Sequence, residues 1–445
     1  MYRKADLQYL QDIFDRSSNE MAVLYGSVEN DLPELVSDFI KDKDCLYFRA
    51  GDVCDSVERQ LLSSELHEQT RSPAFPDDDY EKLISSFTDG QSDRKKLIVF
   101  DDFQFLVRND PTFINFLTHR LFDESRPGTV MYLLVSDDIS WVENDMIRLT
   151  GRKSYEIAGV IKLKDHTPSE FGALFPKMPV SMIMGIWSVI GGNSRYYSGL
   201  TDKSTVRDVV IKLLTEYSDP YFDTGRYLPR DIREPQIYNS ILVQLAAGCG
   251  KLGDIHSATH VDRAKLSVYL KTLTQSGMTQ KAGTAFYRIN DPLVKFYYRF
   301  VFPHFSSLKV LGAERFYRRF IEHEMQGYIG EIFPVFCMEQ IRWLQGENRL
   351  NFKAVSVEEY PDRTGAVDFL IVAAGGSVIA CACRYEGPHM SYRTYEEVRS
   401  TVRKKKLICD NIWLFSASGF DQKLTMFASV TVGVKLIDAS EHRLH

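Results

Sequence analysis

Two adjacent carboxylates, Asp101 and Asp102, end the apolar segment LIVFDD, which has the composition of a buried strand. Where a chain binds nucleotide through a glycine-rich loop, the first acid after such a strand binds Mg²⁺ and a second polarises the attacking water. Aspartates at strand ends also cap the helix that follows. The pair therefore fits a structural role as well as a catalytic one.

A segment earlier in the chain has the frame of a phosphate-binding loop. The apolar strand MAVLYG ends at Gly26, and a polar loop then leads into an amphipathic run. A working loop reads GxxxxGK[ST], in which backbone amides, the lysine and the hydroxyl hold the phosphates and Mg²⁺. In the register that Gly26 sets, the last three positions are Asp31, Leu32 and Pro33. All three phosphate-binding identities are therefore missing.

An unorthodox nucleotide site is the alternative interpretation of this segment. Asp101 and Asp102 keep their place, and Ser27 and Asn30 supply polar groups in the loop. Against it stands the missing lysine, which normally stabilises the charge of the transferring phosphoryl group. ATP and Mg²⁺ are therefore expected as cofactors only if an activity survives without that lysine.

The elements that would position these residues are short apolar segments separated by longer, helix-like ones. Such alternation over about the first 220 residues predicts a parallel sheet that is covered by helices on both faces. Thr167, followed by Pro168 and by Glu170, predicts the start of a helix with a capping box. The strand candidates are MAVLYG, CLYFRA, KLIVFDDF, VMYLLVSDD and YEIAGVIKL.

The pattern changes at about Pro229. Three helix-like segments precede MTQKAGTAFYRIND, which predicts a hairpin with Gly283 in its turn, and together they predict a winged helix-turn-helix. An aromatic helix, PLVKFYYRFVFPHFSSL, follows. After about Tyr328 the pattern mixes strands and helices again, which predicts a small C-terminal α/β domain.

Composition excludes several classes of function. A chain of 445 residues predicts more than one core, and its net charge of −6 gives no global attraction to nucleic acid. No stretch approaches the roughly 18 apolar residues of a membrane span, and the first residues lack an apolar signal core, so a cytoplasmic location is expected. The closest cysteines, Cys381 and Cys383, make no zinc site by themselves.

Positive charge is concentrated in the predicted winged helix. Between Arg226 and Arg288 there are nine basic and four acidic residues. Phosphate contacts from such a surface bind DNA without sequence preference and weaken with salt, although winged helices also dock proteins. A further basic run, VRKKK, follows the predicted nuclease-like strands, where a solvated helix face explains it equally well. The residues predicted to contact DNA are Arg263, Lys265 and Lys271 in the recognition helix and Lys281 and Arg288 in the wing.

Taken in order, these segments resemble the AAA-type, STAND-like ATPase family of archaea and bacteria. Members of that family carry a winged helix and a C-terminal domain similar to restriction endonucleases. The resemblance rests on LYG, LIVFDDFQFL, MYLLVSDD, IGGNSRYYSGL, LSVYLKTLTQSGM and YRINDPLVKFYYRFVFP. It implies a P-loop NTPase-like core over residues 1–165, a helical lid over 166–228, a winged helix with the aromatic helix over 229–305, and a restriction-endonuclease-like α/β domain over 306–445.

The C-terminal region departs from the nuclease pattern that this resemblance implies. An active domain has a helical Glu, an Asp on one strand and E-x-K on the next, which bind metal and activate water. Asp368 fits the aspartate, but the helical position falls on Pro334. The triplet falls on Ala382, Cys383 and Arg384, and arginine does not act as a base near neutral pH.

Two degenerate sites in one chain predict a pseudoenzyme, a non-hydrolysing DNA-binding or regulatory scaffold protein. DNA is the partner expected at the winged helix, and a protein partner or a paralogous ATPase with an intact loop is the alternative. Two enzymatic hypotheses stay open, an active, unorthodox ATPase and a metal-dependent nuclease. The nuclease would use Asp368 with compensation from Glu331 and Glu386.

Overall fold

The computed structural model describes most of the chain. Residues 1–2, 27–30, 72–74, 76–77, 90–93, 124–128, 151–155, 217–233, 284–285, 361–364, 386, 388, 410 and 440–445 are outside the description. The chain divides into two compact units, residues 1–165 with 193–195 and residues 166–192 with 196–445.

The first unit alternates strands and helices. Its elements are α1 (Lys4–Phe14), β1 (Glu20–Gly26), α2 (Leu32–Ile40), β2 (Asp44–Arg49), α3 (Asp55–Thr70), α4 (Tyr80–Thr88), β3 (Lys96–Asp101), α5 (Gln104–Asn109), α6 (Phe113–Leu121), β4 (Val130–Ser136), α7 (Ile139–Trp141), α8 (Ile147–Thr150) and β5 (Gly159–Leu163).

These strands form one five-stranded sheet in the order β2-β3-β4-β1-β5, and every pairing is parallel. Successive residues of β1 enter different apolar clusters, with Val23 on one face and Leu24 on the other. Side chains alternate between the faces of a strand, so both faces of the sheet are covered. The predicted parallel sheet is confirmed.

The second unit is helical at first and ends in a second sheet. Its elements are α9 (Pro168–Leu174), α10 (Val180–Ile190), α11 (Val206–Glu216), α12 (Pro235–Ala246), α13 (Leu252–Thr259), α14 (Arg263–Gln275), β6 (Thr279–Ala282), β7 (Phe286–Ile289), α15 (Pro292–Phe296), α16 (Phe305–Phe320), α17 (Met325–Gly346), β8 (Ala354–Glu359), β9 (Phe369–Ala373), β10 (Val378–Arg384), α18 (Tyr392–Lys404), β11 (Asn411–Ser416), α19 (Gln422–Val430) and β12 (Val434–Asp438).

Helix α9 begins as its sequence predicts. The hydroxyl of Thr167 accepts a hydrogen bond from the backbone N–H of Glu170 at 3.2 Å, and the Glu170 carboxylate accepts one from the backbone N–H of Thr167 at 2.8 Å. Pro168 occupies the first turn, where no intrahelical donor is required. The capping box is confirmed.

Helices α12, α13 and α14 precede an antiparallel hairpin, β6–β7, which is the element order of a winged helix. Leu266, Tyr269, Leu270 and Leu273 of α14 are buried, so one face of this helix belongs to the core. Gly283 follows β6 with φ of +58°, in the left-handed region that glycine favours.

The C-terminal sheet is separate from the first one and has mixed strand directions. Its order is β12-β11-β10-β9-β8. Strands β8, β9 and β10 pair antiparallel, whereas β10, β11 and β12 pair parallel. None of the described helices is long and apolar enough to cross a membrane.

A buried cation joins α4, α6 and β4 in the first unit. Arg120 is only 4% exposed. Its guanidinium donates to the Tyr132 hydroxyl at 3.0 Å, to Glu81 at 2.7 Å, to Ser85 at 3.1 Å and to Thr88 at 2.9 Å. Each of its three nitrogens therefore has an acceptor, which is the condition for burying a charge.

We expect Arg120→Ala to lower the free energy of unfolding of the first unit by about 3 kcal/mol, because it leaves buried acceptors without donors. Trp141 is the sole tryptophan of this unit, so the ¹⁹F signal of 5-fluorotryptophan reports its unfolding in urea. Lys41→Ala, in an exposed pair with Asp38, is the control and should change stability by less than about 0.5 kcal/mol. Equal effects of the two variants would contradict the structural role of Arg120.

Candidate functional site

The candidate site lies at the carboxyl edge of the parallel sheet. Asp101 ends β3, and Asp137 follows β4. Because the carboxyl ends of neighbouring parallel strands meet at one edge, these side chains converge there. They line a cavity of about 230 Å³, together with Leu32 and Pro33 from the first turn of α2.

The first turn of α2 carries none of the side chains that hold a phosphate. Leu32 and Pro33 are its first two residues, which are the positions that the register from Gly26 assigns to lysine and to serine or threonine. Asp31 precedes them with φ of +60°, a conformation that favours glycine. A left-handed residue thus stands where the motif has its second glycine, while the lysine and hydroxyl positions carry apolar side chains.

Asp101 is held by hydrogen bonds to neighbouring elements. One carboxylate oxygen accepts from the Tyr47 hydroxyl at 2.5 Å, and the other accepts from the backbone N–H of Asp102 at 3.0 Å. Burial raises the pKa of Asp101, and the Asp102 charge raises it further, while the Tyr47 hydrogen bond opposes both. Burial, followed by the Asp102 charge, also raises the pKa of Asp137.

Asp102 is neutralised by a cation from the edge strand β2. Its carboxylate accepts from Arg49 Nε at 2.8 Å and from Gln104 Nε2 at 3.2 Å. The Gln104 oxygen in turn accepts from the Ser136 hydroxyl at 2.7 Å. Asp102 has φ of +53°, which is uncommon for a residue with a side chain. This network fixes the carboxylate against the ends of three strands.

Arg49 and Tyr47 are site residues that the sequence interpretation missed. Both come from β2, and only the pairing of β2 with β3 places them beside Asp101 and Asp102. The one available signal was a polar residue at the end of an apolar strand, CLYFR. This signal assigns Arg49 to the site only when the strand order is known.

The described residues of this cavity do not fit a nucleoside triphosphate with Mg²⁺. Three carboxylates line the cavity against one guanidinium, Arg49, and that guanidinium is already paired with Asp102. Phosphate binding instead requires donors and positive charge. Across the part of the chain that the structure describes, no three His, Cys, Asp or Glu side chains are grouped so that they hold a metal ion.

Gly26 is explained by strand packing. It pairs with Leu163 of β5, and a Cβ at Gly26 would lie 2.8 Å from the Leu163 Cβ. This approach is too close for any residue other than glycine. Ser27 and Asn30, predicted as polar loop residues of a nucleotide site, lie outside the described residues.

The predicted nuclease-like residues Asp368 and Arg384 are neighbours. The Asp368 carboxylate accepts from the backbone N–H of Cys383 at 2.6 Å and lies 3.8 Å from the Arg384 guanidinium. Glu331, which was to compensate for a missing acid, instead forms an ion pair with Lys295 at 2.8 Å.

The other positions of the nuclease pattern are structural. Pro334 lies inside α17, and Ala382 is fully buried in β10. Glu386 lies outside the described residues. Among the described residues, Asp368 is therefore the carboxylate that remains at a position of the nuclease pattern. One of its oxygens accepts a hydrogen bond from the backbone of β10.

The predicted DNA-binding residues divide into two groups. Arg263, Lys271 and Lys281 are exposed. Lys265 is exposed as well but pairs with Glu234 at 2.8 Å.

Arg288, predicted to contact DNA, instead forms an ion pair with Glu359 of β8. Burial lowers the pKa of Arg288 and raises that of Glu359, while each group's charge opposes the shift of the other. The pair joins the hairpin to the C-terminal sheet, because Arg288 lies on β7 and Glu359 on β8. The Arg288 guanidinium is therefore engaged in an ion pair within the protein.

Comparison with other proteins identifies several similar chains. Residues 297–399 match the DUF234 family of archaeal and bacterial proteins of unknown function. An uncharacterized protein of Methanocaldococcus jannaschii is 23% identical over 426 residues, which cover 91% of this chain and 92% of that protein.

Two solved structures resemble large parts of the chain. The Walker-type ATPase of Pyrococcus abyssi is similar with a TM-score of 0.50 and 13% identity, over 66% of this chain and 95% of that one. The ORC2 protein of Aeropyrum pernix is similar with a TM-score of 0.43 and 15% identity, over 70% of this chain and 95% of that one. Over about two thirds of its length, the chain therefore has a fold similar to that of a Walker-type ATPase.

Proposed function

We propose that this chain is a non-hydrolysing protein of the ATPase fold that works by binding a partner. The observation that carries the proposal is the first turn of α2, which presents Leu32 and Pro33 to a cavity walled by carboxylates. Neither side chain donates a hydrogen bond or carries positive charge. The described site therefore lacks the groups that stabilise a transferring phosphoryl group.

Charge opposes a nucleotide in this cavity as well. Two unit charges about 4 Å apart near a protein surface interact by about 4 kcal/mol, so a triphosphate beside Asp101, Asp102 and Asp137 meets strong repulsion. Arg49 offers little compensation, because its Nε lies 2.8 Å from an Asp102 oxygen. The positive charge of Arg49 is thus already offset by the carboxylate beside it.

The acidic residues have a structural role that accounts for them without catalysis. Asp101 binds Tyr47 of β2, and Asp102 connects Arg49 to Gln104 and Ser136. These hydrogen bonds join the ends of β2, β3 and β4. They support the view that the ATPase fold serves here as a scaffold.

We expect titration calorimetry with ATP or ADP to show no binding at this site up to about 1 mM, with or without Mg²⁺, since a dissociation constant above that corresponds to less than about 4 kcal/mol. Asp101→Ala is the matched variant, because Asp101 lines the cavity while the surrounding strands remain. Micromolar binding that Asp101→Ala abolishes would overturn the proposal. Heat that persists unchanged in Asp101→Ala would come from another site.

We also expect the raised pKa of Asp101 to make the first unit less stable as pH rises. The folded state binds the Asp101 proton more tightly than the unfolded chain does, so stability is lost as pH rises from the ordinary aspartate pKa to the raised one. The unfolding free energy of the native protein, relative to that of Asp101→Asn, should therefore fall as pH rises above about 4, the ordinary pKa of aspartate. Urea unfolding followed by the ¹⁹F signal of 5-fluorotryptophan at position 141 measures this free energy.

The unfolding free energy of the native protein, relative to that of Asp137→Asn, should also fall with rising pH, because the pKa of Asp137 is also raised. The exposed Asp12, which accepts from Gln8 on its own helix, provides the control substitution Asp12→Asn. A difference that grows in favour of the native protein with rising pH would contradict the burial of these carboxylates.

DNA is a candidate for this partner, and the exposed face of α14 favours it. Arg263 and Lys271 are exposed on this helix, with Ser267 and Val268 exposed between them. Cations and a small hydroxyl on the recognition helix are the groups that contact phosphates and base edges. Lys281 adds an exposed cation on the wing.

We expect the double variant Arg263→Glu, Lys271→Glu to weaken binding of duplex DNA at least about tenfold and to reduce its salt dependence by about two phosphate contacts. Fluorescence anisotropy at several salt concentrations measures both quantities. Lys4→Glu, an exposed lysine in the first unit, is the charge-matched control. Unchanged DNA affinity in the double variant would remove α14 as a DNA-binding surface and would favour a protein partner there.

A further inference from the structure

Three basic side chains lie at the C-terminal end of α18 and just beyond it. Arg399 and Arg403 are four residues apart, which places them on one face of the helix, and Lys406 comes two residues after the helix ends at Lys404. Arg403 and Lys406 are exposed. All three line a cavity of about 350 Å³ between α18 and the first residues of β11 and β12, which we call the basic cavity.

The cations of the basic cavity have no carboxylate partners among the described residues. None of the three forms an ion pair there, and no described acidic residue lines the cavity. Arg393, at the start of the same helix, shows the contrast, since it pairs with Glu397 at 3.0 Å. The positive charge of the basic cavity is therefore available to an anionic ligand.

The basic cavity also has apolar walls and an apolar rim. Val402, Leu407 and Ile412 line it. Ile408, next to the lining, is 86% exposed, and the lining residue Val432 is fully exposed. Apolar side chains therefore stand in water both in the lining and next to it.

This cavity is distinct from the nuclease-like position. Strands β10 and β11 run parallel, with Arg384 opposite Ser416 at one end and Ile379 opposite Asn411 at the other. The basic cavity includes Asn411, whereas Asp368 lies beside Arg384. The two positions are therefore at opposite ends of the C-terminal sheet.

We propose that the basic cavity binds a peptide segment of a partner protein that carries acidic side chains interspersed with apolar ones. Arg399, Arg403 and Lys406 receive the carboxylates, and arginine pairs with carboxylates through two parallel hydrogen bonds. The apolar side chains of the segment cover Val432 and Ile408. This inference goes beyond the function proposed above, because it concerns a different surface and does not depend on whether ATP or DNA binds.

The apolar rim and the strand beside it favour a peptide over a nucleic acid. A nucleic acid backbone would satisfy the cations but would leave Val432 and Ile408 against phosphate or water. Strand β12, whose Val434 lines the cavity, is the last strand of the described sheet. A peptide in extended conformation adds main-chain hydrogen bonds at such an edge.

The test is fluorescence anisotropy of the full-length chain with a labelled peptide of alternating glutamate and leucine. We expect a micromolar dissociation constant, weakened about tenfold or more by Arg403→Glu, a loss equivalent to about 1.4 kcal/mol. Peptides of alternating glutamine and leucine, or glutamate and serine, should bind at least about tenfold more weakly. Val432→Ser should weaken binding several-fold, which a purely electrostatic site would not show.

Arg393→Glu is the charge-matched control and should leave the affinity within about twofold, because its pairing with Glu397 is exposed and far along the helix. Since a reversed charge near a helix C-terminus opposes the helix dipole, the neutral double variant Arg399→Gln, Lys406→Gln provides a second, milder measurement. It too should bind several-fold more weakly while its thermal unfolding is unchanged.

Three results would overturn the proposal. The first is no peptide binding below about 1 mM, and the second is an affinity that Arg403→Glu and Arg399→Gln, Lys406→Gln leave unchanged. The third is tighter binding of oligothymidylate or of phosphatidylserine vesicles through the same residues, which would assign the basic cavity to nucleic acid or to lipid. ATP calorimetry is independent of these outcomes, so the two proposals fail separately.

Discussion

The burial of carboxylates at the edge of a parallel sheet is the constraint on which the N-terminal unit depends. Parallel strands bring Asp101, Asp102 and Asp137 to one edge, and buried negative charge requires donors. In this chain the donors come from β2 and α5, through Tyr47, Arg49 and Gln104. The charge of Asp101 and Asp102 is thus balanced within the protein, while the first turn of α2 places apolar residues beside them.

Local patterns predicted much of this architecture. The parallel sheet, the capping box of α9 and the buried face of α14 depend on residues close together in sequence, and each is present. The roles of Tyr47, Arg49 and Glu359 depend on which strands become neighbours. Strand order is set by packing over the whole domain, so the pairing of Arg49 with Asp102 and of Arg288 with Glu359 had no local signal.

The C-terminal sheet shows the same contrast between features with a local sequence signal and features that depend on packing. The sequence pattern assigned Asp368 and Arg384 to two neighbouring strands, and strand register makes them neighbours, whereas the pairing of Glu331 with Lys295 had no signal in the pattern. The basic run VRKKK follows the nuclease-like strands in sequence but lies at the opposite end of the sheet from Asp368 and Arg384. Because α18 follows β10 and leads into parallel β11, it returns along the sheet and ends at the opposite side. The direction of the connecting helix therefore decides which end of the domain this charged segment reaches.

The close approach of Gly26 to Leu163 bears on how nucleotide-binding loops are recognised from sequence. The first glycine of the loop is required by the spacing of two strands, so selection for folding alone would preserve it after every ligand-binding group is lost. A glycine at the end of such a strand therefore does not by itself indicate nucleotide binding. It is the side chains at the start of the next helix that report whether nucleotide chemistry continues.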